Sequence, residues 1–344
     1  MAPVRSSVLR GPRLDPELLL EDFRLRLQNL DQTVRDLAGG DGAPPGFDPD
    51  RFLAPGVPRV RPLLVLLSAR AAGSPERGDD PTEVAAAVEL VHLTILVHDA
   101  ALGRRNGLRR RAARRLLGGA VGLLGGNHLT LRALELARHA PAPEVIGDLL
   151  DTLREVADGH ALNAKIQGRA PTEPECLAHA EEHTGALFSF ACRAGARVGK
   201  GSRPVIAELG RYGRHAGVAW QIAEDLAIVA NAGATGDDDA VALLAAMAES
   251  GRPLLPIGLA AARDPKVGEG WKRLSRRTDA DLAREIVERS SRTGAFTDAR
   301  ARLAQESWSA RRALETVPES PYRTSLDRLV AQLSERPGLS ANAS

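Results

Sequence analysis

Apolar residues recur three and four positions apart along most of the chain, which is the spacing of amphipathic helices. Alanine and leucine dominate, and neither β-branched runs nor strand-like alternation interrupt the pattern. We therefore predict one all-α domain over residues 15–336, with flexible ends at 1–14 and 337–344. The predicted helices are 17–37, one that opens at Arg61–Pro62, 81–99, 116–137, 143–166, 172–199, 203–230, 238–262, 279–292, 296–316 and 321–335.

The most apolar of these helices carries polar side chains. Residues 84–101 are interrupted by Glu89, His92, His98 and Asp99, which predicts a buried helix rather than a membrane span. Several glycines between Gly118 and Gly126 fall in another predicted helix, where we expect them to allow close helix contacts.

The amino-acid composition of the chain argues against several classes of protein. The chain has 46 Lys+Arg against 44 Asp+Glu, and aromatic residues make up 3% of it. Neither charge nor stacking side chains favour nucleic-acid binding. The two cysteines, Cys176 and Cys192, form neither a disulfide framework nor a four-cysteine zinc site. The N-terminal residues lack the apolar core of a secretory signal, so we expect a cytoplasmic protein without a transmembrane segment.

Two polar patches lie on otherwise apolar helices. On the first helix Glu89, His92 and Asp99 share one face, because they are three and seven residues apart. On the second, Gln221 and Asp225 are four residues apart, with Glu224 adjacent. Polar groups in such helices are costly unless paired. They indicate either two buried structural networks or one polar cavity shared by two helices.

Two further signals are weaker. His179 and His183 have the spacing of a zinc-binding pair, but the sequence marks no third ligand. A solvated helix face is the simpler interpretation. Residues 104–115 contain seven arginines, which form either a solvated face or a grip for a phosphate.

Several sequence blocks resemble the trans-isoprenyl diphosphate synthase, or polyprenyl synthetase, family. They occur in the family's order and near its spacings, and the resemblance covers residues 15–336. The blocks are Gly56–Val65, Val84–His92 with Leu96–Asp99, His183–Leu187, Tyr212–Asp225, Gly251–Pro256 and Pro321–Arg323.

The resemblance implies an all-α bundle of the isoprenoid synthase type. In the family's reaction an allylic diphosphate loses pyrophosphate, and isopentenyl diphosphate attacks the resulting carbocation. Two aspartate-rich motifs hold Mg²⁺ ions that neutralise the leaving group. The family usually dimerises, so the resemblance also implies a homodimer or a heteromer with an active synthase.

This chain departs from the family at both motifs. The first keeps Asp99 but has Ala100 and Gly103 at its other two positions, and the second keeps Glu224 and Asp225 but has Ile228. We assign Asp99, Glu224 and Asp225 as the catalytic and metal-binding carboxylates, with the Mg²⁺ site weakened. The resemblance also implies a set of diphosphate- or substrate-binding residues, namely Arg59, Arg61, His92, Arg109, Arg110, Thr184, Gln221 and Arg252.

The functional hypothesis follows from the lost carboxylates, because stabilisation of developing charge is usually the largest contribution to catalysis. We expect a catalytically degenerate family member that binds an isoprenoid diphosphate or regulates an active synthase partner. The alternative is an active prenyltransferase, or a diphosphate-cleaving or cyclase-like enzyme, in which arginines compensate for lost metal.

Overall fold

The computed structural model describes residues 21–53, 59–73, 79–102, 119–233, 238–277 and 279–334. Within these ranges the chain is helical and has no strands, which confirms the predicted all-α class. The helices are α1 (Glu21–Gly39), α2 (Val60–Ala72), α3 (Thr82–Leu102), α4 (Gly119–His139), α5 (Glu144–Ile166), α6 (Glu173–Ala180), α7 (Ala186–Val198), α8 (Arg203–Gly233), α9 (Asp238–Ser250), α10 (Leu255–Ala261), α11 (Pro265–Leu274), α12 (Ala280–Arg292), α13 (Ala295–Ala313) and α14 (Pro321–Ser334).

The longest of these helices, α8, organises the bundle. It packs most extensively against α7 and α13, while α3 packs against α4, and α2 against α7. Helix α3 is mostly apolar and contributes a nearly continuous run of buried side chains from Val84 to Val97. It is long and apolar enough to span a membrane, but 67% of its most apolar window is buried inside the fold. The prediction of a buried core helix is therefore confirmed.

The observed helices differ from the predicted ones in three places. The predicted helix 238–262 is two helices, α9 and α10, bent by 71°. Gly251 adopts a φ of +76° at the break, and Pro253 follows, which explains why the helix cannot continue. Helix α11 was not predicted, although Asp264 caps it and Pro265 occupies its first turn.

The third difference lies inside the predicted helix 172–199. A π-helical turn, Glu181–Gly185, separates α6 from α7. This turn packs tightly against α8: a Cβ added at Gly217 would lie 2.7 Å from the Gly185 Cα and the Thr184 carbonyl oxygen. The absence of a side chain at Gly217 therefore lets the π turn approach α8 closely enough for their polar side chains to meet.

Candidate functional site

Asp99 lies near the end of α3 beside two imidazoles. Its Oδ1 is 3.2 Å from His160 Nε2 on α5, and the ligand atoms of Asp99, His160 and His183 all lie within 4.8 Å of one another. Burial works to raise the pKa of Asp99, but His160 and His183 outweigh it and lower that pKa overall. We call these three residues the imidazole cluster.

His179 and His183 do not lie on a solvated face, so that interpretation is wrong. The side chain of His179 is 1% exposed, and its ring stacks on His183 with centroids 5.0 Å apart. The His183 ring in turn meets His160 edge-on at 5.2 Å. Burial lowers the pKa of His179 to about 3 and that of His183 well below its usual value, so both imidazoles are neutral at pH 7.

The side chains of the second polar patch form a continuous series of hydrogen bonds. Thr184 Oγ1 donates to Gln221 Oε1 at 2.7 Å, and Gln221 Nε2 donates to Asp225 Oδ1 at 2.8 Å. The other Asp225 oxygen accepts from the Leu255 amide at 3.0 Å, at the start of α10. Burial raises the pKa of Asp225 to about 7, although these donors and Arg252 oppose the shift. We call this set the α8 chain.

The third motif carboxylate, Glu224, faces an arginine instead. Its Oε2 lies 3.7 Å from Arg252 Nη2, and both side chains are partly exposed. Glu224 and Asp225 are not members of the imidazole cluster. The joint role of Asp99, Glu224 and Asp225 in holding one ion stays a prediction.

Arg59, Arg61 and Arg252 form a group that we call the arginine cluster. Arg59 donates to Asp31 and to the buried Glu89, each at 2.7 Å. Arg61 lies over the Phe188 ring, 5.5 Å from its centroid. Its pKa is lowered by burial and by the positive charges of Arg252 and Arg59.

Each arginine of this cluster has one buried guanidinium nitrogen without a hydrogen-bond partner in the part of the chain that the structure describes. These atoms are Arg59 Nη2, Arg61 Nε and Arg252 Nε. Buried donors are normally paired, and here the positive charges of Arg59 and Arg252 also act on Arg61, so the region favours an anionic acceptor. The cluster borders His92, whose pKa is lowered well below its usual value by burial and by Arg61, His183, Arg59 and Arg252.

A groove of about 690 Å³ lies elsewhere, between α7 and α8. It contains several arginines but no predicted site residue. Carboxylates already neutralise much of its charge: Arg197 contacts Asp148 at 2.7 Å, and Arg214 contacts Glu155 at 2.6 Å. We therefore locate the candidate site at the imidazole and arginine clusters.

The structure brings most of the predicted residues together. The charges of three arginines, Arg59, Arg61 and Arg252, act on His92. In the α8 chain, hydrogen bonds connect Thr184 to Gln221 and Gln221 to Asp225. Arg109 and Arg110 lie outside the described residues. Sequence reasoning missed His160, because a single histidine in the middle of a polar helix carries no periodic or motif signal.

Comparison with known proteins adds the family. The polyprenyl synthetase family model matches residues 50–237. A short chain isoprenyl diphosphate synthase from Methanothermobacter thermautotrophicus is 30% identical over 296 residues, covering 83% of this chain and 89% of the relative. This chain belongs to the polyprenyl synthetase family.

Other polyprenyl synthetase relatives agree with this result. An octaprenyl diphosphate synthase from Haemophilus influenzae is 28% identical over 287 residues, covering 78% of this chain and 81% of the relative. A crystal structure of a polyprenyl synthase from Caulobacter crescentus, complexed with calcium and isoprenyl diphosphate, superposes with a TM-score of 0.78. It is 27% identical and covers 94% of this chain and 99% of its own. The resemblance to proteins of isoprenoid metabolism is therefore confirmed.

Proposed function

We propose that this polyprenyl synthetase family member binds an isoprenoid diphosphate at the arginine cluster. The observation that carries the proposal is a group of three neighbouring arginines, each with a buried guanidinium nitrogen that has no acceptor among the described residues. A diphosphate offers several anionic oxygens, and guanidinium groups bind such oxygens through paired, charge-assisted hydrogen bonds. The Caulobacter crescentus polyprenyl synthase, which was crystallised with isoprenyl diphosphate, supports this ligand class.

We further propose that the chain is degenerate in Mg²⁺-dependent chain elongation. Mg²⁺ requires oxygen ligands in a nearly octahedral arrangement. Both oxygens of Asp225 accept N–H donors, Glu224 faces Arg252, and Ala100 and Ile228 offer no ligand. These residues fit an Mg²⁺ pair poorly, so we derive no catalytic step through Mg²⁺.

Titration calorimetry of the full chain with farnesyl diphosphate, and separately with inorganic pyrophosphate, tests the binding proposal. We expect Arg61→Gln to weaken both affinities by at least about tenfold, because one charged hydrogen bond contributes about 1.5–3 kcal/mol. Arg154→Gln is the matched control, since the Arg154 side chain is exposed and pairs with the equally exposed Asp151 at 3.7 Å. Equal affinities for wild type and Arg61→Gln would refute the proposal.

A second candidate is an enzyme that releases pyrophosphate without ordinary elongation. The observation that favours it is the carboxylate of Asp99 held beside two imidazoles. Pyrophosphate release from farnesyl diphosphate, lost in Asp99→Asn, would establish this candidate. Release that needs both isopentenyl and farnesyl diphosphate would instead establish an active prenyltransferase and contradict degeneracy.

We also propose that the chain assembles through α4 and α5, as a homodimer in the cytoplasm. Large apolar side chains are exposed on these helices, and three of them share one face of α4: Leu123, Leu124 and Leu131, with Leu150 on α5. Native mass spectrometry tests the assembly. A stable monomer would contradict the homodimer, and a heteromer with an active synthase would indicate a regulatory subunit.

A further inference from the structure

We propose that Asp99, His160 and His183 form a binding site for a divalent transition-metal ion of the zinc class. The three side chains come from three separate elements, α3, α5 and the π turn. Their candidate ligand atoms lie within 4.8 Å of one another. Two imidazoles and one carboxylate are a ligand set that proteins use for catalytic zinc and for non-haem iron.

The observed distances suit a site that closes slightly around an ion. Metal–ligand bonds of about 2.0–2.2 Å at tetrahedral angles separate neighbouring ligand atoms by about 3.3 Å. His160 Nε2 and Asp99 Oδ1 are already 3.2 Å apart. His183 completes the set with a side-chain movement of about 1–2 Å, which rotation about its χ angles supplies.

The unpaired nitrogens point to a missing partner. His160 Nε2 is buried and faces the carboxylate of Asp99, with Oδ1 3.2 Å away. Both ring nitrogens of His179 are buried without a hydrogen-bond partner among the described residues. Native structures rarely leave several buried polar atoms unpaired in one place. A cation at the imidazole cluster supplies a partner for the His160 lone pair.

His179 supports the site without binding the ion. Its ring lies nearly parallel to that of His183, with an angle of 25° between the planes. This packing limits the tilt of the His183 ring and holds it close to His160. The π turn that carries His183 is a feature that frequently marks functional sites in helices.

The ligand chemistry selects the metal. Imidazole nitrogen suits zinc, iron, cobalt and nickel, whereas Mg²⁺ prefers carboxylate, carbonyl and water oxygens. Three protein ligands leave at least one position of the ion open. The metal site does not rest on the proposed function.

Metal binding by the tag-free full chain tests the site in the absence of a diphosphate. After chelator treatment, we expect one equivalent of Zn²⁺ to compete with a chromophoric chelator, and one equivalent of Co²⁺ to give the visible absorption of a four- or five-coordinate ion. A tenfold or greater excess of Mg²⁺ should displace neither. Absence of saturable Zn²⁺ and Co²⁺ binding would overturn the proposal.

Variants identify the ligands. His160→Gln, His183→Gln and Asp99→Asn should each lower the Zn²⁺ affinity by about tenfold or more and reduce the Co²⁺ absorption. His128→Gln is the matched control, because His128 is also buried with an unpaired Nε2 but lies outside the imidazole cluster. His179→Phe keeps a stacked ring, so the affinity should remain within about threefold of wild type.

The outcomes separate the two proposals. Loss of Zn²⁺ affinity in His128→Gln as large as in His160→Gln would show a nonspecific effect and overturn the assignment, as would full affinity in all three ligand variants. Circular dichroism of each variant distinguishes unfolding from ligand loss, and the exposed Asp99 is the position whose substitution disturbs the core least. Zn²⁺ binding without diphosphate binding would leave the metal site standing and refute the proposed function.

Discussion

The α8 chain and the imidazole cluster use their polar groups in opposite ways. In the α8 chain, Thr184 donates to Gln221, and Gln221 donates to one oxygen of Asp225. The Leu255 amide donates to the other Asp225 oxygen, so both oxygens accept a hydrogen bond. In and beside the imidazole cluster, both ring nitrogens of His179 lack a partner among the described residues, and His160 Nε2 faces the Asp99 carboxylate. Polar residues on apolar helices therefore need not share one role. One group holds helices together, and the other keeps its binding capacity for something outside the chain.

The largest expected effect concerns Arg59, which combines both kinds of polar group in one side chain. Two of its nitrogens bind Asp31 and Glu89, and a third has no partner among the described residues. Arg59→Leu leaves the Glu89 carboxylate, which is 2% exposed, without its counterion. We expect a loss of about 3–5 kcal/mol in the free energy of unfolding, measured by urea denaturation. The double variant Arg59→Leu/Glu89→Leu should recover most of it, and failure to recover would show that packing rather than charge was lost.

The next effect is a pH dependence that comes from Asp225. Its pKa is about 7 in the folded chain, mainly because of burial, and about 3.9 when unfolded. Between these values the folded state keeps a proton that the unfolded state has released, so this group's contribution to stability falls as pH rises from about 4 to about 7. Above pH 7 both states are ionised and the loss is complete.

Urea denaturation of wild type and Asp225→Asn at several pH values measures this contribution. The asparagine does not titrate, so the difference in unfolding free energy between the two proteins should change with pH between about 4 and about 7 and then level off. A difference that is constant across this range would show that Asp225 titrates at its ordinary pKa.

A smaller effect is expected at Thr184. Thr184→Val removes the donor to Gln221 Oε1 inside the bundle, and an unsatisfied buried acceptor costs about 1–3 kcal/mol. Thr152→Val is the matched control, because Thr152 is equally buried but donates only to the Asp148 carbonyl oxygen in its own helix. Thermal and urea unfolding compare the two. Equal losses would mean that the α8 chain contributes no more than an ordinary helical threonine.

The smallest expected effect is a gain in stability rather than a loss. His179→Phe replaces a buried, unpartnered imidazole by an apolar ring that can keep the stacking on His183. We expect the metal-free protein to gain up to about 1 kcal/mol of stability, since the desolvation of the imidazole is no longer uncompensated. A clear destabilisation would show that His179 has a partner and that the two regions are more alike than the geometry indicates.

Much of the fold follows from the sequence because helical periodicity is a local signal. The apolar run of α3 and the proline at the start of α2 each identify a helix within a few residues. The bend at Gly251 and the π turn at Glu181–Gly185 do not follow from periodicity. The bend comes from Gly251 and Pro253, and the π turn packs against the distant helix α8.

The site was predictable in part for the same reason. Gln221 and Asp225 are four residues apart on one helix, so their contact could be inferred. The pairing of Asp99 with His160 joins two distant parts of the chain, and no local spacing encodes it. The resemblance to the family predicted the carboxylates at the family's motif positions. It did not predict the histidines that surround one of them.

The π turn also has a consequence for how this chain tolerates insertions and deletions. Each residue rotates an α-helix by about 100°, so the one extra residue of the π turn offsets everything after it by that angle. The offset lets α6 keep His179 inward while α7 turns Phe188 and Phe190 into the core. Deleting one residue here would restore regular helix and swing one of these faces outward. The helical register of α7 therefore depends on a single surplus residue.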